Sequence, residues 1–394
     1  MKVELSPIKK FMIMSQDLPD VISLGQGVPS FHTPKKIKNA AKRAIDGKSV
    51  DWYGDTRGLQ ELRWEISKLL YEEDTIYYNP ETEILITPGA SAGLSVTIFS
   101  LFNKDAELIL LTPTYYPFLN IPKIIGVKVI PVNYTYSRNE WAFSRGNFLK
   151  AITVNTKGVI ICIPNNPTGN VLSYEDLLFI KSVIRERNLI LITDEVYKYF
   201  LYSGVSQKLL KNREDVKRTC LTLNVFEDIK QNWVRLMSFS KAWSMSGWRV
   251  GYIAAPALLT EEILPVCDIS FTASSSLVSQ YAALEALRNN KLVPFRFLDK
   301  LKERKQIMQH YLSKTSLRFS YVSPQGGYYF FLKLKNEQDD YDFSINLLKE
   351  KSVVTIPGSA FGTHGKGFIR ISFCQSKKVI IEGMEKIVNY CDSL

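Results

Sequence analysis

From about residue 83 the chain alternates short apolar runs with longer helical stretches for roughly 200 residues, and this alternation restricts the fold more than any other feature. The runs are Glu83–Thr87, Glu107–Thr112, Lys128–Asn133, Gly158–Ile163, Leu189–Thr193, Trp233–Met237 and Val250–Ala255. Several are apolar almost throughout and read as buried strands. Helical stretches follow Ser91 as far as about Phe102 and run from Tyr174 to Arg187. Such alternation predicts an α/β fold with a mainly parallel sheet flanked by helices. Ligands of such sheets sit beyond the carboxyl ends of the strands. Gly89-Ala90-Ser91, Tyr115, Asn166, Asp194 to Tyr197 and Ser238 to Lys241 all fall at or just beyond those ends. That convergence argues for one site.

The flanks read differently. Ile8–Ser15 is a short predicted helix, followed by an irregular segment, Val21–Pro34, with glycines at 25 and 27. Gly27 would let a ligand approach the backbone closely. Pro34 opens a helix to about Gly47. The aromatic and glycine loop Trp52–Gly58 precedes a helix from Leu59 to Tyr71. After helices at Gln280–Asn289 and Val293–Ser313, the remainder reads as a smaller α+β unit. Its predicted strands are Gly327–Leu334, Val353–Ile356 and Phe368–Phe373, and its helices Phe343–Glu350 and Lys377–Cys391.

Hydrophobic residues make up 45% of the chain and charged ones 23%, as in ordinary soluble globular proteins. The apolar runs are far shorter than the roughly 18 residues that span a bilayer. The first residues lack the apolar core of a secretory signal, so an intracellular, cytoplasmic location is expected, with no membrane partner. The five cysteines are scattered without a Cys-x-x-Cys pair, and the three histidines are far apart. Reduced thiols and no metal site are expected. The net charge of +11 comes from basic pairs spread among acidic residues, without a basic arm. No nucleic-acid partner is expected.

The segment Ser238–Gly251 carries the chemistry. Hydroxyls at 238, 240, 244 and 246, glycines at 247 and 251 and the guanidinium of Arg249 suit a phosphate. Lys241, beside them in an apolar wall, suits a Schiff base with a carbonyl. A phosphate and an aldehyde together point to pyridoxal phosphate. Ala90 and Ser91 open a helix whose free N–H groups offer a second phosphate contact.

In this order and spacing the chain resembles the class I/II aminotransferases, the fold-type-I pyridoxal-phosphate enzymes that include aspartate and aromatic aminotransferases. The resemblance covers nearly the whole chain. It rests on Gly25-Gln26-Gly27-Val28-Pro29, Tyr53 with Gly58, Gly89-Ala90-Ser91, Pro113-Thr114-Tyr115, Asn166-Pro167-Thr168-Gly169, Asp194-Glu195-Val196-Tyr197, Ser238-Phe239-Ser240-Lys241 with Gly247-Trp248-Arg249-Val250-Gly251, and Phe368–Phe373 around Arg370.

The resemblance implies a large cofactor-binding domain at 46–288 and a smaller domain built from both termini, 1–45 and 289–394. It implies a ping-pong transfer of an amino group from an L-amino acid to a 2-oxo acid through a Lys241 aldimine. By the same resemblance Asp194 pairs with the pyridine nitrogen, Tyr197 and Asn166 bond the phenolic oxygen and Tyr115 stacks on the ring. Gly89, Ala90, Ser91, Ser238 and Arg249 hold the phosphate, which Tyr53 reaches from the second subunit of a homodimer. Arg370 clamps the substrate carboxylate, with Asn166 and Gly27 in support. Taken singly, Asp194 also suits a helix N-cap, Asn166 a turn, Tyr53 and Tyr115 a core and Arg370 a strand surface.

The sequence departs from the family pattern in two places. Gln26 and Val28 stand where many members carry Glu before Pro. The polar stretch Ser206–Gln231 reads as a surface insertion without assigned chemistry. No second arginine can be placed opposite the substrate side chain, and Phe11, Met12, Tyr53 and Tyr328 are candidates for an apolar pocket. The same Lys, Asp and Arg would also serve a β-elimination lyase, a cyclopropane-forming synthase or an amino-acid oxidase.

Overall fold

The computed structural model describes residues 5–47, 50–137, 140–271, 274–335 and 339–394. The N-terminal part contains helix α1 (Pro7–Met14), strand β1 (Ile22–Ser23) and helices α2 (Lys35–Asp46) and α3 (Gln60–Asp74). Next come β2 (Ile84–Thr87), α4 (Ala90–Leu101), β3 (Glu107–Thr112), α5 (Tyr116–Ile124), β4 (Lys128–Asn133), a hairpin of β5 (Thr135–Ser137) and β6 (Glu140–Ala142), and α6 (Arg145–Lys150). The chain continues through β7 (Thr156–Cys162), α7 (Tyr174–Arg187), β8 (Ile190–Asp194), β9 (Leu210–Arg213) and β10 (Arg218–Leu221). Then follow β11 (Trp233–Ser238), α8 (Phe239–Ala242), β12 (Gly251–Ala254), α9 (Ala257–Phe271), α10 (Leu277–Asn289) and α11 (Val293–Lys314). The C-terminal part holds β13 (Phe319–Tyr321), β14 (Tyr329–Leu334), α12 (Asp340–Lys351), β15 (Val353–Val354), β16 (Ile356–Pro357), β17 (Phe368–Ser372) and α13 (Lys377–Ser393).

Seven strands form the main sheet in the order β2-β12-β11-β8-β7-β3-β4. Only β12 runs against the others, so the sheet is mainly parallel as expected. Strands β2, β3, β8 and β11 are buried almost throughout, because helices cover both faces of a parallel sheet. The second sheet, β13-β14-β17-β16, is antiparallel. Strand β1 pairs with β15 in parallel, Ile22 against Val353, which ties the N-terminal segment to the C-terminal unit. Phe11 of α1 completes that tie by burying itself against Phe331, Ile356, Phe361 and Phe368.

Four helices, α5, α6, α8 and α9, were not expected from the sequence, and two of them carry a misleading signal. In α5 and α9 the prolines Pro122 and Pro265 lie inside the helix, where proline ordinarily marks an end. The polar stretch 206–231 is corrected more substantially. It holds the antiparallel pair β9–β10 and a 3-10 segment, Asn224–Asn232, and it sends Arg213, Cys220, Leu221 and Leu223 into the interior. It is therefore part of the core, not a surface insertion. All five cysteines are free and buried. Among the described residues no helix is long and apolar enough to cross a membrane.

Candidate active site

One cavity gathers side chains from the carboxyl ends of the main strands and from the antiparallel sheet. The turn after β2 contributes Ala90 and Ser91, the turn after β3 Tyr115, and the loop after β7 Asn166. Strand β8 ends in Asp194, and Tyr197 follows it. Strand β11 ends in Ser238, with Lys241 one turn further on α8. Tyr329 of β14 and Arg370 of β17 close the far side, and Gln26 to Val28 cross over from β1. Every proposed site residue but Gly89 and Tyr53 lines this space.

Lys241 donates its amine to the carbonyl of Gly27 at 2.7 Å. Burial lowers its pKa to about 8, and the nearby guanidinium groups of Arg370 and Arg249 push the same way, against the Cys374 thiol and Asp194. An amine poised there is neutral often enough near pH 7 to attack a carbonyl or to carry a proton. Asp194 is 7% exposed, and among the described residues its Oδ1 accepts only from the Val196 N–H, at 3.1 Å. Burial raises its pKa to about 7, opposed by that N–H and reinforced by neighbouring Glu195. The carboxyl thus awaits a cationic partner, and a protonated ring nitrogen is one.

Arg370 is the most telling group. It is 2% exposed, and among the described residues no carboxylate lies within ion-pair distance. Its two terminal nitrogens donate to Asn166 Oδ1 at 2.9 Å and to Gly25 O at 2.6 Å. Its Nε is buried with no hydrogen-bond partner. The ring of Tyr329 supports the guanidinium at 4.3 Å and Phe361 at 4.8 Å. A buried, unpaired guanidinium is costly unless an anion completes it.

The opposite end of the cavity suits a phosphate. Gly89 caps α4 at φ 90°, and Ala90 and Ser91 present the first turn of that helix. Arg249, itself at φ 52°, crosses over this turn and donates to Pro88 O and Ser246 O, each at 2.9 Å. A Cβ on Gly89 would stand 2.7 Å from its Nη2, so only glycine lets the two meet. Ser238 and Ser240 face each other at 2.8 Å. A second cradle lies at Gly27, where a Cβ would come within 1.9 Å of the Tyr329 hydroxyl.

Tyr197 meets Tyr329 hydroxyl to hydroxyl at 3.0 Å, and burial pushes its pKa well up, so it stays a phenol. Tyr53 lies elsewhere. It is 82% exposed, beside Trp52, in a shallow depression shared with residues 274–278. Of the residues considered for an apolar pocket, Met12 lines the cavity, whereas Phe11 is buried in the antiparallel unit. Tyr328 stands behind the wall and donates to Gly27 O at 2.8 Å. Tyr329, Cys162, Ile8 and Val196 line the cavity without having been expected there, whereas Ser240 and Ser246 were among the hydroxyls expected near a phosphate. Cys162 ends β7 directly opposite Asp194 in the parallel register, a position its apolar run could have given.

The sequence matches the family profile described as aminotransferase class I and II over residues 19–387. The chain belongs to the class I and II aminotransferases. It is 30% identical over 388 residues to aromatic-amino-acid aminotransferase 2 of Thermococcus litoralis, covering 98% of this chain and 95% of that one. It is 32% identical over 391 residues to an aspartate aminotransferase of Pyrococcus abyssi, with 98% and 95% covered. The crystal structure of aspartate aminotransferase from Thermotoga maritima superposes with a TM-score of 0.88 at 29% identity, covering 99% of this chain and 98% of that one. This aminotransferase is a pyridoxal-phosphate enzyme that transfers an amino group between an amino acid and a 2-oxo acid. The cavity's contents agree with that cofactor: a buried carboxyl short of a cation, a helix N-terminus beside Arg249 and a partly neutral lysine.

Proposed function

We propose that this aminotransferase binds pyridoxal phosphate through Lys241 and prefers L-amino acids with an apolar or aromatic side chain. When bound, the cofactor supplies an aldehyde that captures the substrate amine and a ring that accepts electrons from its α-carbon. The protein's own groups do the rest. Asp194 would hold the pyridine nitrogen in its protonated form, and Tyr197 and Asn166 would bond the phenolic oxygen. Tyr115 covers one ring face. Ala90, Ser91, Ser238 and Arg249 hold the phosphate, with Gly89 leaving room for the guanidinium. The Lys241 amine would take up and return the proton of the substrate α-carbon. Arg370 takes the α-carboxylate on its free N–H groups, beside Asn166 and the Gly27 backbone.

The observation that carries this reading is the carboxylate-free guanidinium of Arg370 in the same cavity as Lys241. The side-chain preference rests on what else lines that cavity. Its only cations among the described residues are Lys241, Arg249 and Arg370, each already committed, while Ile8, Met12 and Val28 add apolar surface. A second substrate carboxylate would find no uncommitted cation among these lining residues, and an apolar side chain would gain by burial.

The small domain combines 1–45 with 289–394 around a large domain at 46–288, supported by the β1–β15 pairing and the burial of Phe11. The active species is a homodimer in which the exposed Tyr53 of one copy reaches the phosphate of the other. A cytoplasmic location suits five unpaired thiols, which persist in a reducing compartment. Steady-state kinetics with phenylalanine, leucine and aspartate as amino donors test the preference. Higher kcat/KM for aspartate than for both others would reverse it.

A further inference from the structure

Beneath the site lies a set of buried charges that the reaction does not use. Three acids, Glu73, Asp74 and Glu195, face three bases, Lys198, Arg213 and Arg235, and all six are at most 3% exposed. Arg235 is the centre. It grips Glu195 in a two-pronged fork, Nε to Oε1 at 2.8 Å and Nη2 to Oε2 at 2.6 Å. The same Nη2 reaches Asp74 at 2.6 Å. Lys198 lies 2.9 Å from Glu73 and 3.5 Å from both Asp74 and Glu195. Arg213 of β9 closes the set on Glu73 at 2.7 Å, and its other nitrogen reaches Glu72 and Asp215 nearer the surface.

Replacing a balanced set of buried charges by apolar side chains is often neutral or stabilising, so stability alone is a weak reason for six of them. Their placement supplies a better one. Arg235 sits within β11, the strand that delivers Ser238 and, one helical turn on, Lys241. In the parallel register Arg235 faces Thr193 and Leu236 faces Asp194. Glu195 follows Asp194, and its N–H bonds to Leu236 O at 3.0 Å. Its Oε1 also accepts from Thr193 at 2.9 Å. The Arg235–Glu195 fork therefore ties the end of β8 to β11, fixing the carboxyl of Asp194 relative to the amine of Lys241. Helix α3 braces the fork directly through Asp74, and Arg213 of the β9–β10 pair connects to it at one remove, through Glu73 and Lys198. The fork, together with Lys198, also offsets the charge of Glu195 beside Asp194.

We propose that Arg235 is a positioning residue for transamination: through its fork on Glu195 it sets the Asp194 carboxyl and the Lys241 amine, and Arg213 of the β9–β10 pair supports it indirectly, through Glu73 and Lys198. This gives the 206–231 stretch a role in the site. The inference rests on the assignments of Asp194 and Lys241 above. The holoenzyme and its Arg235→Met, Arg235→Lys, Glu195→Gln and Arg213→Met variants test it by three readouts: cofactor dissociation constant, the pH midpoint of the bound cofactor's visible absorption, and melting temperature. Arg235→Met is expected to weaken cofactor binding at least about tenfold and to move the pH midpoint. Arg235→Lys, which keeps the charge but not the fork, should fall between it and the parent enzyme. Arg213→Met should give a smaller change of the same sign. A folded Arg235→Met protein that melts earlier but keeps the parental cofactor affinity and pH midpoint overturns the proposal. If that variant does not fold, the same parental values in Arg235→Lys and Glu195→Gln overturn it. Asp194→Asn serves as the control: parental spectra in that variant would instead overturn the Asp194 assignment beneath it.

Discussion

Lys241 donates its amine to the carbonyl oxygen of Gly27, 2.7 Å away, across 214 residues of sequence. The bond joins the strand-end helix α8 of the main sheet to the loop that follows β1. A carbonyl holds the amine in place without fixing its charge, and burial among the guanidinium groups of Arg370 and Arg249 favours the neutral form.

That environment gives the cofactor-free protein a pH signature. The Lys241 pKa falls from 10.5 to about 8 on folding, so between those values the unfolded chain holds more protons and stability rises with pH. Asp194 works in the other direction. Its pKa rises from 3.8 to about 7, so between those values the folded chain holds the extra proton and stability falls as pH rises. Melting curves of the cofactor-free protein should show both slopes. Lys241→Met should flatten the alkaline one and Asp194→Asn the acidic one. Unchanged slopes in both variants would show that neither group is perturbed.

Arg370 should act on substrate and not on cofactor. Losing its charge-assisted hydrogen bonds in Arg370→Met should lower kcat/KM for amino acids by about 10²-fold or more, with cofactor affinity within a factor of two or so of the parent. Arg370→Lys should recover little, because an ammonium cannot present a planar pair of donors. Steady-state kinetics with a cofactor titration separate the two effects.

Gly27→Ala should be damaging for a reason that a second substitution can relieve. The new Cβ would lie 1.9 Å from the Tyr329 hydroxyl and 3.1 Å from the ring carbon that bears it. Tyr329 would have to leave Tyr197 and the face of Arg370. Removing the hydroxyl in a Gly27→Ala, Tyr329→Phe double variant should restore part of the lost activity and stability, giving a non-additive double-mutant cycle. Additive losses would place the damage elsewhere.

If Tyr53 serves the partner's site, two crippled variants should rescue each other. Lys241→Ala has no anchor, and Tyr53→Ala lacks the phosphate contact. Mixed dimers carry one intact site, so unfolding and refolding an equimolar mixture should return about a quarter of the parental activity. No gain on mixing would put Tyr53 outside the site.

Much of the main sheet was legible because its strands are nearly continuous apolar runs, and a buried parallel strand has little else to be. Lys241, Asp194, Asn166 and Arg370 were legible because their types and order match a family. Tyr329 was not, since it enters from the antiparallel sheet and nothing local marks which side of β14 faces the cavity. Helices α5 and α9 were hidden by the prolines inside them, Pro122 and Pro265, which locally read as helix breakers. Arg213 was the hardest to foresee. Its stretch is polar, and its burial depends on Glu73, 140 residues away, which no local pattern reveals.

The half-reaction is the most direct test of transamination by this enzyme. Cofactor-loaded protein is mixed with a single L-amino acid, no oxo acid present, and the visible absorption of the cofactor is followed together with the product released. Loss of that absorption with one 2-oxo acid formed per subunit, and its return on adding a second 2-oxo acid, is the predicted result, absent in Lys241→Ala. An unchanged spectrum with all twenty amino acids, or continuous ammonia release without an oxo-acid acceptor, would contradict it.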